Sequence, residues 1–304
     1  YGIALDMPTG KMYWTDEGTH KIQRANLDGT SVEDLITTGL SLPSGIALDP
    51  AAGKMYWTDP GPGVDKNQRA NLDGTGIEDL VVTGLIASLW ITLDVDAGKM
   101  YWSDFPNKKI QRANLDGTSV EDFITIALTD LYSSAWGIAL DVAAGKIYWL
   151  DQTGKRIQRA NLDGTAGIEI LAYEPSFPGA LTLDPAAGKI YWVDGAGGFG
   201  IIYCANLDGT SVKALVIGVS AGGIALDLAA GKMYWTNANT IRRANLDGTG
   251  DETLVTIGFN TLSGIALDAA AGKMYWCDQT AAKIQRANFD GSSVEDLITT
   301  GIGY

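Results

Sequence analysis

The chain has 304 residues, 46% of them hydrophobic, with 36 acidic against 22 basic side chains and a formal net charge of −14. Such a surface repels phosphate backbones and anionic bilayers, which excludes nucleic acid and favours a cationic peptide or basic protein as partner. The longest apolar stretch, residues 214–226, contains Gly218 and Ser220 and is too short to span a bilayer, so no membrane insertion is expected.

Residues 2–36 set a pattern. Gly2-Ile3-Ala4-Leu5 is a short apolar run closed by Asp6 and a turn through Gly10. Lys11-Met12-Tyr13-Trp14-Thr15 comes next, then Lys21-Ile22-Gln23-Arg24-Ala25, the turn Asn26-Leu27-Asp28-Gly29, and Val32-Glu33-Asp34-Leu35-Ile36. Short runs bounded by Gly, Asp or Asn predict strands, and the tight turns between them predict an antiparallel meander.

The pattern then recurs along the chain. The tetrad Tyr-Trp-x-Asp/Asn begins at Tyr13, Tyr56, Tyr101, Tyr148, Tyr191, Tyr234 and Tyr275, roughly 43 residues apart, which suits one four-stranded propeller blade. In each unit the first run is nearly all apolar. The fourth is acidic in most units (Glu33-Asp34, Glu78-Asp79, Glu121-Asp122, Glu295-Asp296), which suits a solvent-facing edge. Tyr and Trp on the second strand point to opposite faces, so every sheet needs an apolar cover on both sides. Only like sheets can supply it. The prediction is an all-β fold, a single seven-bladed β-propeller domain over residues 1–304 with four-stranded antiparallel blades. Residues 298–304 match residues 36–42, so each blade is expected from contiguous sequence, with the termini meeting.

These units resemble the YWTD repeats of the LDL-receptor class B family. The segments that carry the resemblance are Gly-Ile-Ala-Leu-Asp, Gly-Lys-Met-Tyr-Trp-Thr-Asp and Arg-Ala-Asn-Leu-Asp-Gly, and it covers the whole chain. Animal members usually have six blades flanked by cysteine-rich modules, whereas this sequence shows seven tetrads and no such modules. The resemblance implies a propeller that grips a peptide on the face around its channel mouth, in an extracellular or cell-envelope setting.

The repeated motif comprises Tyr13, Trp14, Asp16 and Arg24; Tyr56, Trp57, Asp59 and Arg69; Tyr101, Trp102, Asp104 and Arg112; Tyr148, Trp149, Asp151 and Arg159; and Tyr275, Trp276, Asp278 and Arg286. A carboxylate that recurs so regularly reads as structural. The tetrad Asp is expected to cap the turn after its strand and to form a bidentate pair with the Arg of the third strand. Two units depart, with Cys204 in the Arg place opposite Asp194, and Asn237 in the Asp place opposite Arg243.

Other polar features read as scaffold. Asp6, Asp49, Asp94, Asp141, Asp184, Asp227 and Asp268 end the first strands and are expected to hold turns. Asn-Leu-Asp-Gly lacks the further oxygen ligands and distal Glu of a calcium loop, and suits a hairpin turn. The run Gly195, Gly197, Gly198, Gly200 has neither the helix nor the Lys-Ser/Thr of a phosphate cradle, so it reads as a blade-to-blade loop. Cys204 and Cys277 have no metal-ligand spacing and read as small buried side chains, while His20 reads as a surface residue. No nucleophile elbow, zinc helix or Cys/His cluster occurs. No catalytic residue, metal or cofactor is expected. The favoured reading is a non-enzymatic, monomeric module that binds a protein or peptide. A propeller enzyme of the lactonase or lyase kind, or a rigid spacer, is the alternative.

Comparison of the units indicates the docking face. Turns one-to-two and three-to-four share one face and scarcely vary, while the two-to-three loops and blade-to-blade connections share the other and differ in every unit. Aromatics are concentrated on that variable face, in or beside units three to five: Trp90, Tyr132, Trp136, Tyr173 and Phe177 on connections, Phe105 and Phe199 on two-to-three loops. Such rings are the usual anchors of binding energy. For Trp90 and Trp136, filling the joint between blades is the competing role.

Overall fold

A computed structural model describes the whole chain except residues 1, 62–64, 105–106, 108, 126–134, 152–155, 166, 174–177, 196–199, 259–261 and 300–304. All regular structure among the described residues is β-strand, in seven four-stranded sheets that each take four consecutive strands. This is the seven-bladed β-propeller class, with every blade contiguous in sequence. The expected meeting of the termini falls on residues outside those described. The chain divides into two compact units, Tyr1–Val142 with Gly301–Tyr304, and Ala143–Thr300.

The first blade shows how each sheet is built. Its strands are β1 (Ile3–Asp6), β2 (Lys11–Asp16), β3 (Lys21–Asn26) and β4 (Glu33–Ile36), hydrogen-bonded in that order. Asp6 holds the first turn by accepting bonds from the Thr9 amide (3.3 Å) and hydroxyl (2.5 Å). Asp49, Asp94, Asp184, Asp227 and Asp268 each accept an amide three residues on in the same way, which confirms the turn role. At the third turn the Asn26 carbonyl accepts the Gly29 amide (2.9 Å), and the Asp28 carboxylate accepts the Thr30 amide (2.9 Å) and hydroxyl (2.5 Å).

Met12 through Asp16 are all buried, which in a strand of alternating side chains means that both faces are covered. The cover comes from the neighbouring blade. In the first unit, Tyr13 packs with Met55 and Trp57, and Tyr56 with Met100 and Trp102. In the second, Tyr191 packs with Met233 and Trp235, and Tyr234 with Met274 and Trp276. The Tyr face of one blade thus meets the Trp face of the next. Burying rings of this size, roughly 150–250 Å² each, makes these contacts the dominant favourable term in the fold.

The arginines do not pair with the tetrad carboxylates. The register sets Arg24 opposite Tyr13, while Asp16 lies opposite Lys21, three residues along and on the other face of the sheet. Each Arg instead pairs with the first Glu of its outer strand: Arg24 with Glu33, Arg69 with Glu78 (2.8 Å), Arg112 with Glu121 (2.6 Å), Arg159 with Glu169 (2.7 Å) and Arg286 with Glu295. The guanidinium also crosses the joint. Arg24 donates to the Leu72 carbonyl and Arg69 to that of Leu115, both at 2.9 Å. In the second unit Arg159 reaches Leu207 (2.6 Å) and Arg243 reaches Phe289 (2.8 Å). The capping expectation holds where the tetrad Asp accepts amides of the turn after its strand, as Asp16 and Asp278 do, whereas Asp59 accepts amides of the connection that precedes its blade. Asp16 accepts the Gly18 and Thr19 amides at 3.0 Å, and Asp59 accepts the amides of Ser41 (2.9 Å) and Leu42 (2.7 Å).

Glycine at the third turn meets two demands at once. Gly74 has φ +84°, and a Cβ there would lie 2.7 Å from the Leu35 carbonyl oxygen of the preceding blade. Gly53, with φ +65°, would set its Cβ in open space. Gly74→Ala should therefore cost about 2–4 kcal/mol, from backbone strain plus overpacking, and Gly53→Ala about 1 kcal/mol. Urea unfolding of the two variants checks this, and equal midpoints would show that the blades yield at the joint.

Candidate functional site

Trp90 is the one proposed anchor whose side chain is described. It lies on the inner strand of the third blade (Ser88–Asp94) and is 44% exposed, so it does not fill the joint between blades. Ile86 (54% exposed) and Val82 (53%) lie on the connection that leads into this strand. That connection is anchored. The tetrad carboxylate Asp104 accepts the Ile86 amide (3.2 Å) and the Ala87 amide (3.3 Å), and Ser103 Oγ accepts the Trp90 amide (3.3 Å). Conserving the conformation of the segment in this way lowers the ordering cost of binding to it. Trp136 and Tyr173 lie on strands Ala135–Asp141 and Glu169–Tyr173, but their side chains are outside those described. Phe105, Tyr132, Phe177 and Phe199 also lie outside the described residues.

A polar relay that the sequence reading did not anticipate runs across the Trp face. Trp14 Nε1 donates to Gln23 Oε1 (2.9 Å), Gln23 Nε2 to Asp34 Oδ1 (2.6 Å), and Lys21 Nζ to Asp34 Oδ2 (2.7 Å). The second, third and seventh blades repeat it through Trp57-Gln68-Asp79-Lys66, Trp102-Gln111-Asp122-Lys109 and Trp276-Gln285-Asp296-Lys283. The signal was present as the recurring Lys-x-Gln-Arg followed by Glu-Asp, with partners two strands apart. The Lys ammonium and then the Gln amide hold Asp34, Asp122 and Asp296 below the ordinary carboxylate range.

Blades four to six lose the relay in different ways. Trp149 keeps Gln158 (3.0 Å), but Ile170 stands opposite Gln158 where Asp34 stands opposite Gln23. Trp192 stacks on Tyr203 with ring centroids 5.3 Å apart and planes 16° off parallel. Trp235 faces Arg242, which has no acceptor atom. The buried Trp235 Nε1 accordingly lacks a hydrogen-bond partner, and the Arg242 guanidinium lies 5.8 Å from the ring while pairing with Asp251 (2.6 Å).

Other features add little chemistry. A cleft of about 350 Å³ between the first two blades is lined by Asp6, Lys11, Tyr13, Arg24 and Asn71, but Lys11 is bonded to Asn26 (2.6 Å) and Arg24 to Glu33 and Leu72. Its cations already have partners. Cys204 and Cys277 are buried free thiols, and burial pushes Cys277 up to about 11. His20 is exposed, with its ring against the Ser41 carbonyl. Among the described residues no group of three or more His, Cys, Asp or Glu could hold a metal ion, and no helix is long and apolar enough to cross a membrane. Gly197 and Gly198 of the glycine run lie outside the described residues.

Comparison with known proteins places these repeats. The sequence profile of the low-density lipoprotein receptor repeat class B matches residues 10–50 and 98–142. Low-density lipoprotein receptor-related protein 4 of Homo sapiens is 54% identical over 43 residues, which is 14% of this chain and 2% of that protein. The chain thus resembles a small part of a much longer relative. The nidogen structure solved in a nidogen/laminin complex aligns over 94% of this chain and 92% of its own, with TM-score 0.59 and 18% identity. Virginiamycin B lyase of Staphylococcus aureus aligns over 84% and 83%, with TM-score 0.68 and 20% identity. At these identities the last two likenesses concern the fold alone.

Two outcomes follow from the relay. Arg242→Gln supplies the missing acceptor for Trp235, so it should stabilise the protein by about 0.5–1.5 kcal/mol, read as a raised melting temperature. The second concerns acid. A carboxyl with a depressed folded pKa contributes stability that is present above its unfolded value, near 4, and is lost as pH falls through the folded one. Asp34→Asn should therefore cost about 0.5–1 kcal/mol at pH 7, the pair being partly exposed, and should soften the fall in stability below pH 4. Asp59, which burial pushes up, works in the opposite sense and is unaffected by the change. A melting series from pH 7 to about pH 3 reads both parts, and a parallel shift at every pH would disprove the linkage.

Proposed function

We propose that this chain is a propeller of low-density lipoprotein receptor class B (YWTD) repeats and that it is a non-enzymatic module that binds a protein or peptide. Residues 1–304 act as one domain in this reading, in an extracellular or cell-envelope setting. The observation that carries it is the exposed indole of Trp90, on the strand that follows a connection bearing exposed Val82 and Ile86 and fixed by Asp104. Exposed apolar groups on a segment already held in place are what a docking site needs. The net charge of −14 favours a ligand with basic residues. The relatives are consistent with this: one is a receptor-related protein, and another was solved in complex with laminin. Likeness to a lyase at 20% identity extends to the fold and supplies no catalytic group.

The ligand docks on the variable face around the channel mouth, with Trp90, Phe105, Tyr132, Trp136, Tyr173, Phe177 and Phe199 as its aromatic anchors. A peptide library rich in Lys and Arg, panned against the protein, supplies the probe. Trp90→Ala should weaken the selected peptide at least about tenfold, or about 1.4 kcal/mol, in titration calorimetry, with little change in melting temperature. Affinity should also fall with added salt. Unchanged affinity in the variant would remove Trp90 from the site. Failure of any basic peptide to bind would count against the partner class.

A further inference from the structure

The fifth blade departs from the repeat at one place in several ways together. Every other outer strand carries Glu at its first position, and those of the first, second, third and seventh blades follow it with Asp. The outer strand of the fifth blade, Lys213–Val219, carries no carboxylate at all and has seven residues, where β4 has four. On the face where the first blade sets Lys21, Gln23 and Asp34, the fifth sets Ile201, Tyr203 and Ala214. Ile217 stands beside them. Tyr203 lies opposite Ala214 and Ile201 opposite Ile217, so the four side chains form one strip, with Trp192 stacked on Tyr203. Ile217 is 74% exposed. The polar relay of the first, second, third and seventh blades has been exchanged here for an apolar strip on a sheet edge.

An edge strand presents a row of backbone amides and carbonyls that can pair with another strand, and charge is the usual protection against this. Six outer edges keep that protection and the fifth has lost it. We propose that this edge is an interface between two copies of the chain, with the two Lys213–Val219 strands pairing antiparallel about a two-fold axis. The pairing joins two blades into a continuous eight-stranded sheet in which Ile217 and Ala214 of the copies cover each other. Charge selects this occupant. Each copy carries −14, and pairing any other edge with itself would bring carboxylates together. A basic segment finds no carboxylate on this strand, and an acidic one finds only Lys213. An apolar strand is self-complementary, as a two-fold contact requires. Gly218, with φ +82°, bends the end of the strand and limits the pairing to its first residues. The contact is therefore small, and the dimer replaces the monomer expected from sequence only at high concentration, with a dissociation constant of ~10–100 μM.

Sedimentation velocity from about 1 to 300 μM, spanning that constant, tests the proposal on the full chain. The wild type should pass from monomer to dimer, and the dimer should tighten with added salt as the mutual repulsion is screened. The double variant Ala214→Asp/Ile217→Thr restores the residues of the first blade at these positions. It should weaken association at least tenfold while melting within a few degrees of the wild type. In hydrogen exchange, the amides of residues 213–217 should slow as wild-type concentration rises. A wild type that stays monomeric, with or without an added Val-rich peptide on this edge, overturns the proposal. So does a dimer that persists in the double variant, or one whose exchange slows elsewhere.

Discussion

The fold depends on one local arrangement, an adjacent Tyr and Trp sent to opposite faces of the same strand. A blade with a large ring on each side cannot bury both by itself, so it is stable only between two others. Everything else follows from that demand. The Tyr of one blade meets the Trp and Met of the next, as Tyr13 meets Met55 and Trp57. The polar groups around the rings then serve the same joint. Arg24 ties its own outer strand through Glu33 and the next blade through the Leu72 carbonyl, so one guanidinium fixes both a hairpin and a neighbour.

Departures from the repeat show which of these devices are dispensable. Cys204 stands where the other blades place Arg, and no guanidinium there can reach the sixth blade. Apolar packing takes over, with Tyr191, Val193, Val216, Val219, Met233 and Trp235 in one cluster. Burial pushes the Cys204 thiol up, which keeps it neutral in that setting. The exchange of a polar tie for a larger apolar contact is tolerable because rings and aliphatic groups, more than ion pairs, supply the energy of the joint. The neighbouring sixth blade shows the cost of a partial change. Arg242 replaces a Gln and leaves the Trp235 ring nitrogen without an acceptor.

Blade number, strand order and the turn role of Asp6 and its counterparts were legible in the sequence because each rests on local periodicity. The Asp16–Arg24 pairing was not. Proximity along a hairpin suggested it, but alternation places the two groups on opposite faces, and only the register Tyr13 opposite Arg24 reveals this. The Trp-Gln-Asp-Lys relay was missed for a related reason: its members lie on three strands and none stands out alone. At the candidate site, a single sequence located an uneven distribution of aromatics but could not say which rings are exposed. The structure resolves that question for Trp90, through the strand that carries it and the Asp104 bonds that set its approach. The bare edge of the fifth blade was visible as missing acids at Lys213-Ala214. Its meaning depends on the pairing of Ile217 with Ile201, which composition cannot show.

The arginine tie has a consequence for a chain still being made. The acceptor for Arg24 lies 48 residues ahead of it, whereas the acceptor for Trp14 lies 9 residues ahead. A ribosome adding about 5–20 residues per second supplies the Trp–Gln bond almost at once but leaves each arginine, and the tyrosine beneath it, waiting some 2–10 s for the following blade. Throughout synthesis the Tyr face of the newest blade is therefore open to solvent, in addition to the Trp face of the first blade, which no earlier blade covers. The nascent protein carries one moving vulnerability beside that fixed one, and whatever shelters the moving face needs to recognise the same Tyr-and-Arg surface each time.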